Sequence, residues 1–305
     1  MIEIRRILCP IDFSDFSRRA LDHAVVIARW YESTITLVHV SPIVPLAAYA
    51  PGSGVVPSAN LSPEERAALL ASLKEFAAPD AAAGVPFDYQ LTEGRAAAQI
   101  LNAAETLSSD LIVMGTHGRS GFERMILGSV TEKVLRKAAC PVLSVPRSSL
   151  DVVPVPPLFK RILCAVDFSD CSMQGLHYAM SLAQEADASL TVLHVIDLPP
   201  EVSDVQGMMV GGAVSFQDYI AQAGEDRRKR LKDAVPDAVR EHCHVETVLA
   251  TGTPYREVLR VAAEQTSDLI VIGLHGRGPV DLLFFGSTAQ QVVRSAPCPV
   301  LTLRK

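Results

Sequence analysis

The stretch that decides the fold is SDLIVMGTHGRSGFERMILGSVT at 109–131, which SDLIVIGLHGRGPVDLLFFGSTA repeats at 267–289. In both, an apolar run rich in Ile, Leu and Val ends in Gly-x2-Gly, nine residues follow, and Gly-Ser opens a segment of helical period. A buried strand followed by a glycine turn and a helix is typical of α/β proteins with a parallel sheet. The stretch therefore predicts that fold class, twice in one chain.

Other segments repeat along the chain as well. RILC occurs at 6–9 and 161–164, DFSD at 12–15 and 167–170, and TLVHV at 36–40 is matched by TVLHV at 191–195. A period this long indicates duplicated domains, because solenoid repeats run about 20 to 50 residues. We expect domains at 1–148 and 160–305, joined by a proline-rich linker at 149–159.

The first copy shows apolar runs alternating with helical periodicity. Leu21, Ala24, Val25 and Ala28 have the spacing of a buried helical stripe. Ser62, Pro63 and Glu65 predict a capping box at the start of the second helix. The predicted strands are 5–11, 34–40, 86–91, 110–115 and 142–146, and the predicted helices are 16–31, 63–78, 96–107 and 129–138.

The glycine loop has the composition of a phosphate site. Glycine lacks a Cβ and tolerates positive φ, so backbone N–H groups can approach an anion closely. Gly118 would line one side of the pocket, and the first N–H groups after Gly128, at the positive end of a helix dipole, would face it from the other. The alternative is that these glycines only form tight turns.

A carboxylate follows the first strand in each copy, Asp12 in one and Asp167 in the other. The carboxyl edge of a doubly wound sheet is where ligands bind. Asp12 would either cap the following helix or, if Ser14 takes that role, accept a hydrogen bond from an adenine or a ribose hydroxyl.

Composition and motifs argue against several other classes. The chain has 28 Lys plus Arg against 34 Asp plus Glu and a net charge of -6, the wrong sign for electrostatic binding of nucleic acid. The sequence shows neither a membrane-length apolar run nor a signal peptide, so we expect a cytoplasmic protein without a membrane role. It also lacks a Walker A motif.

Several histidines invite functional roles that the sequence does not favour. His39 and His194 end the second strands, where we expect satisfied, partly buried imidazoles. His117 and His275 lie in the loops, where we expect structural or ligand-lining roles. His242, Cys243 and His244 would alternate across a strand, so we expect no metal site. The charged run at 225–230 is interpreted as a solvated helix face.

Together these residues resemble the universal stress protein family, in its ATP-binding and tandem-domain form, over nearly the whole chain. The markers are DFS after strand one, HV at the end of strand two, DLIVxGxxG, the GS helix start and CPVL at 140–143 and 298–301. The resemblance implies two Rossmann-like or flavodoxin-like domains, each a five-stranded parallel sheet in the order 3-2-1-4-5 flanked by helices. It also implies that ATP, with or without Mg²⁺, lies across the ends of strands one and four.

By the same resemblance, nucleotide-binding residues carry over to each copy. The last strands would pair edge to edge, 142–146 with 300–304, which makes an intrachain pseudo-dimer and is compatible with a homodimer. The residues carried over are Asp12, Val40, Gly115, Gly118, Arg119, Gly128, Ser129, Val130 and Thr131 in copy one, and Asp167, Val195, Gly273, Gly276, Arg277, Gly286, Ser287 and Thr288 in copy two.

Three functions remain open at this point: a regulatory or sensing protein that binds ATP with little or no hydrolysis, a weak ATPase or nucleotidyl-transferring enzyme of the same fold, and a structural stress protein that binds no nucleotide. We expect no catalytic residue, although Glu123 and Asp281 are carboxylates near the loops. Copy two has Gly278-Pro279 where copy one has Ser120-Gly121, so we expect copy one to bind nucleotide at least as tightly.

Overall fold

The chain forms two compact units in a computed structural model, one of Glu3–Pro157 and the other of Leu158–Lys305 together with Met1–Ile2. We call them the first and the second unit. The structure describes residues 2–43, 61–77, 82–118, 127–146, 159–197, 216–274 and 286–304, with side chains from 224 onward in the range that begins at 216.

The first unit contains a parallel sheet whose strand order is β3-β2-β1-β4-β5. The predicted elements all appear, with ends that differ from the expected ones by no more than a residue or two. Its elements are β1 (Arg6–Pro10), α1 (Asp15–Tyr31), β2 (Thr34–Ser41), α2 (Pro63–Ala77), β3 (Phe87–Glu93), α3 (Ala96–Thr106), β4 (Leu111–Gly115), α4 (Ser129–Lys137) and β5 (Val142–Val145).

The second unit repeats this sheet in the order β8-β7-β6-β9-β10, again with all described neighbours parallel. The 3-2-1-4-5 order and the α/β fold are thus confirmed in both units. Its elements are β6 (Arg161–Ala165), α5 (Asp170–Ala186), β7 (Ser189–Ile196), α6 (Phe216–Asp233), α7 (Asp237–His242), β8 (Val245–Thr251), α8 (Pro254–Glu264), β9 (Leu269–Gly273), α9 (Ser287–Ser295) and β10 (Val300–Leu303).

The central strands are mostly apolar because helices cover both faces of the sheet. In β4, all five residues are buried, and the predicted stripe on α1 is buried against the sheet. The capping box of α2 is confirmed as well: the Ser62 N–H donates to Glu65 Oε2 at 2.8 Å, and the Glu65 N–H donates to Ser62 Oγ at 3.2 Å.

One ionisable side chain lies within the core of the first unit. His23 on α1 is only 6% exposed, and burial, with a smaller contribution from the charge of Arg19, lowers its pKa from 6.5 to about 3. The imidazole is therefore neutral in the folded protein at physiological pH. Tyr178 stands at the equivalent place on α5.

The reversal of strand order positions the candidate site. From β1 the chain crosses to one side of the sheet, and from β4 it crosses to the other, so a crevice opens between the carboxyl ends of these two neighbouring strands. The same switch point lies between β6 and β9 in the second unit. Among the described residues, no helix combines the length and apolar character that crossing a bilayer requires.

Candidate functional site

The switch point of the first unit brings the two predicted motifs into contact. Asp12 follows β1 and Gly118 follows β4, and a Cβ built on Gly118 would lie only 2.8 Å from Asp12 Oδ2. Carbon and oxygen do not approach so closely, so this position requires glycine while the carboxylate stays in place. The loop of β4 and the carboxylate of β1 thus form one continuous surface.

A tight turn fixes the Asp12 carboxylate. Its Oδ1 accepts hydrogen bonds from the Ser14 N–H at 3.1 Å and the Ser14 Oγ–H at 2.5 Å. Ser14 is the N-cap of α1, because its Oγ accepts from the Ser17 N–H at 3.3 Å. The helix is therefore capped by the serine, and the aspartate is left to present Oδ2 toward the loop.

The second unit builds the same turn with its own residues. Asp167 Oδ1 accepts from the Ser169 N–H at 3.0 Å and from the Ser169 Oγ–H at 2.6 Å. Ser169 caps α5 by accepting from the Ser172 N–H at 3.3 Å. The arrangement of carboxylate and capping serine is thus reproduced in both units.

The residue between aspartate and serine has a backbone conformation that sequence reasoning did not anticipate. Phe13 has φ 62° and Phe168 has φ 63°, in the left-handed region that bulky side chains rarely enter. Their rings pack against the imidazoles of His39 and His194, with centroids 4.8 and 4.7 Å apart. Local sequence gives no signal for this conformation, since DFSD resembles an ordinary helix start.

Those two histidines are satisfied, as expected. The Nδ1 atom of His39 lies 2.7 Å from the carbonyl oxygen of Ile11, and the Nδ1 atom of His194 lies 2.7 Å from that of Val166. A carbonyl oxygen only accepts, so Nδ1–H is the donor in both. His39 is partly buried, whereas His194 is buried.

The start of α4 presents backbone donors to the same edge. Gly128 N–H is not among them, because it donates to the carbonyl of Thr116 at 2.8 Å. Gly128 is the N-cap and makes no side-chain cap hydrogen bond. The next three amides, of Ser129, Val130 and Thr131, have no carbonyl within the helix to pair with, and they carry the positive end of its dipole.

The side chain of Thr131 is paired within the protein. Its hydroxyl is buried and donates to the carbonyl of Gly115 at 2.9 Å, which ties the end of β4 to α4. The second unit has Ala289 at this place and makes no such link. In the first unit Thr131 therefore offers a ligand its backbone N–H.

The loop glycines Gly128 and Gly286 permit close approach without a positive φ. Both have φ −57°. A Cβ would lie 2.9 Å from the Thr116 carbonyl oxygen at Gly128, and 2.6 Å from the Leu274 carbonyl oxygen at Gly286. Glycine is needed there because the preceding turn lies directly against its Cα.

The two sites differ around the glycine that ends the fourth strand. A Cβ on Gly115 would lie 2.9 Å from Phe16 Cβ, whereas one on Gly273 would lie 3.0 Å from Cys171 Sγ. The Cys171 thiol is buried and donates to the carbonyl of Leu303 at 3.1 Å. An aromatic ring in the first site is thus replaced by a small, internally bonded thiol in the second.

The remaining predicted residues fall into two groups. Val40 and Val195 lie near the carboxyl ends of β2 and β7, where they pair with Thr92 and Ala250, and Ser287 and Thr288 open α9. The others, Arg119, Gly276 and Arg277, lie outside the described residues. The positions that distinguish the two copies, Ser120, Gly121, Gly278 and Pro279, also lie outside them, as do Glu123, His275 and Asp281.

One further expectation is corrected away from this edge. His242 ends α7 and Cys243 is the C-cap residue, so the expected strand through both is wrong; β8 begins only at Val245. A short helix forms there because Asp237 opens a turn after Pro236. Within the described ranges, no group of three or more His, Cys, Asp or Glu side chains is placed to hold a metal ion.

Comparison with known proteins assigns both units to the same family. The family model described as the universal stress protein family matches residues 3–146 and 158–304. A universal stress protein of Methanocaldococcus jannaschii is 38% identical over 150 residues, which are 48% of this chain and 84% of that protein. One of Bacillus subtilis is 35% identical over 148 residues, which are 48% of this chain and 100% of that protein.

Solved structures agree on the fold. The crystal structure of a universal stress protein from Archaeoglobus fulgidus superposes with a TM-score of 0.68 and 23% identity, covering 99% of this chain and 97% of that one. A second, from Pseudomonas aeruginosa, has a TM-score of 0.64 and 20% identity and covers 98% of this chain and 93% of its own.

Proposed function

Because the chain belongs to the universal stress protein family over both of its units, we propose that it is a cytoplasmic ATP-binding protein that regulates or senses stress, with little or no hydrolysis. The observation that carries the proposal is the approach of Asp12 Oδ2 to Gly118. It joins an acceptor for the nucleoside to the start of the loop that leads to the phosphate donors.

The charges at this edge are complementary to a nucleotide. A carboxylate at the end of β1 is an acceptor, which suits the hydroxyls of a ribose or the amino group of adenine. The amides of Ser129, Val130 and Thr131 are donors at a positive helix end, which suits phosphate oxygens. An adenosine at Asp12 with its phosphates toward α4 satisfies both.

A binding role fits better than rapid turnover. The sequence lacks the Walker A lysine that P-loop enzymes use, so a tightly held nucleotide would signal by its presence. Backbone amides can bind phosphate without a protein-bound metal ion, and Mg²⁺ would arrive already bound to the nucleotide. The first site has Phe16 and the Thr131–Gly115 hydrogen bond where the second has Cys171 and Ala289.

A single added methyl group tests this proposal. Gly118→Ala places a Cβ 2.8 Å from Asp12 Oδ2, and the carboxylate, at the end of a flexible side chain, can move aside without disturbing the backbone. We expect the variant to stay folded and to bind ATP at the first site at least about tenfold more weakly, as expected for losing about 1.4 kcal/mol. Isothermal titration of the full chain with ATP and Mg²⁺ measures this.

The matched control adds a methyl group elsewhere. Gly224→Ala lies within α6, where the new Cβ would make ordinary contacts at 3.6 Å with Leu249 Cδ2 and 3.7 Å with Arg228 Nη1. Its ATP affinity should equal that of the parent. Absence of ATP binding by the parent at millimolar concentration would reject the proposed function, and equal affinity of Gly118→Ala and parent would reject this edge as the site.

Two further measurements separate the functions. Denaturing the purified protein and identifying the released nucleotide by chromatography shows what it carries. Sustained release of phosphate from ATP at more than about 1 per second, which is within the ordinary range of enzymes, would contradict the regulatory role and favour the enzyme.

A further inference from the structure

We propose that His39, and His194 in the second unit, are positioning residues for the aspartate of the nucleotide site, acting through the peptide before that aspartate and the left-handed phenylalanine after it. Neither imidazole needs to touch the ligand. The predicted effect of these histidines on ATP affinity rests on the proposed function. Their effect on the position of the aspartate does not, because it concerns the protein without a ligand.

The first contact fixes the peptide that enters the turn. The Nδ1–H of His39 donates to the carbonyl of Ile11 at 2.7 Å, and the N–H of Ile11 donates to the carbonyl of Val38 at 2.8 Å. Both contacts come from β2. Ile11 directly precedes Asp12, so hydrogen bonds from β2 fix the chain as far as the residue before the carboxylate.

The second contact supports the strained residue that follows. A non-glycine residue in the left-handed conformation is disfavoured, and it persists only where its surroundings hold it. The ring of Phe13 packs on the His39 imidazole, and the edge of that ring also meets Phe76 at a centroid distance of 5.7 Å. One histidine thus contacts the chain on both sides of Asp12.

This conformation gives the carboxylate its direction. With Phe13 at φ 62°, the chain turns so that Ser14 N–H and Oγ–H both reach Asp12 Oδ1. Oδ2 then lies against Gly118. If Phe13 relaxed to an ordinary negative φ, the Ser14 amide would move away from Oδ1 and the carboxylate would lose its anchor.

The second unit repeats this geometry although its site has changed elsewhere. The Nδ1 to carbonyl distance is 2.7 Å in both, the φ values are 62° and 63°, and the ring distances are 4.8 and 4.7 Å. In the second unit the guanidinium of Arg230 lies over the Phe168 ring, with its carbon 4.2 Å from the ring centroid. Meanwhile Phe16, Thr116 and Thr131 have become Cys171, Leu274 and Ala289.

Two substitutions at one position separate hydrogen bonding from packing. His39→Asn keeps an N–H donor near the place of Nδ1, whereas His39→Leu keeps apolar bulk and removes the donor. Both are made in the full chain carrying Asp167→Ala, which silences the second site. His242→Leu is the matched control, because His242 Nδ1 also lies 2.8 Å from a carbonyl, that of Ala238, far along the chain from either motif.

The first readout needs no nucleotide. Hydrogen exchange of the Ser14 amide, whose acceptor is Asp12 Oδ1, reports whether the turn is intact. We expect protection to fall at least about fivefold in His39→Leu, the factor for a hydrogen bond worth about 1 kcal/mol, and to stay near the parent value in His39→Asn and His242→Leu. Equal protection in all four proteins would overturn the proposal.

The second readout is the dissociation constant for ATP with Mg²⁺ at the first site. We expect His39→Leu to weaken it at least about fivefold and His39→Asn to restore it to within about twofold of the parent. Equal weakening by both variants would show that the imidazole only fills space. If the parent binds no ATP, the proposed function fails, while Ser14 exchange still decides the positioning role.

Discussion

The buried imidazole of His23 makes the first unit sensitive to mild acid. Folded, its pKa is lowered to about 3; unfolded, it returns to 6.5. Below pH 6.5 His23 is therefore protonated in the unfolded state but not in the folded state, and the free energy of unfolding falls as the pH drops toward the folded pKa. At 1.36 kcal/mol per pKa unit, the loss from this residue between pH 7 and pH 5 is about 2 kcal/mol.

The assay uses the protein's single tryptophan. Trp30 lies on α1, the helix that carries His23, so urea unfolding followed by its fluorescence reports the first unit. His23→Leu removes the titration and replaces the buried imidazole with an apolar side chain. The difference in unfolding free energy between parent and variant should shift by about 2 kcal/mol in favour of the variant from pH 7 to pH 5.

Taking this difference cancels the carboxylates that also titrate in this range, because both proteins contain them. Above pH 7.5 the difference should be constant. If the unfolding free energies of parent and variant change in parallel from pH 7 to pH 5, the pKa of His23 is not lowered in the folded protein, because the folded imidazole would then take up its proton as readily as the unfolded one.

Two other predictions concern backbone and helix ends. Gly286→Ala should destabilise the second unit by about 1 to 3 kcal/mol in chemical denaturation, because its Cβ would lie 2.6 Å from the Leu274 carbonyl oxygen; an unchanged transition would contradict that close approach. Ser62→Ala should cost about 1 kcal/mol of first-unit stability by removing the cap that Glu65 closes, and an effect below about 0.3 kcal/mol would mean that α2 does not depend on it.

Local sequence predicted most of the fold because periodicity and capping are local properties. The buried stripe on α1 follows from side-chain spacing, and the capping box at Ser62 needs only residues three apart. The prediction that His39 is a satisfied imidazole was also confirmed, but the sequence did not indicate which atom it pairs with. The Ile11 carbonyl reaches it only through the register of β1 against β2, which is a tertiary property.

The candidate site was predictable in its parts and less so in their arrangement. Asp12 and Gly118 are far apart in sequence and meet because β1 and β4 are neighbours. The sequence did not predict the left-handed conformation of Phe13, because the contacts that stabilise it come from β2 and α2. Two expectations stay predictions: the pairing of 142–146 with 300–304, and an affinity of copy one for nucleotide at least as high as that of copy two.

The contact between Asp12 Oδ2 and Gly118 also constrains how such a site can change during evolution. Any side chain at 118 competes for space with the carboxylate, so a substitution there would be tolerated most readily after position 12 had become smaller. A lineage that abandoned the acidic group would gain freedom at the glycine, and one that kept it would not. The two positions should therefore vary together among descendants of this domain, although more than a hundred residues of other sequence separate them.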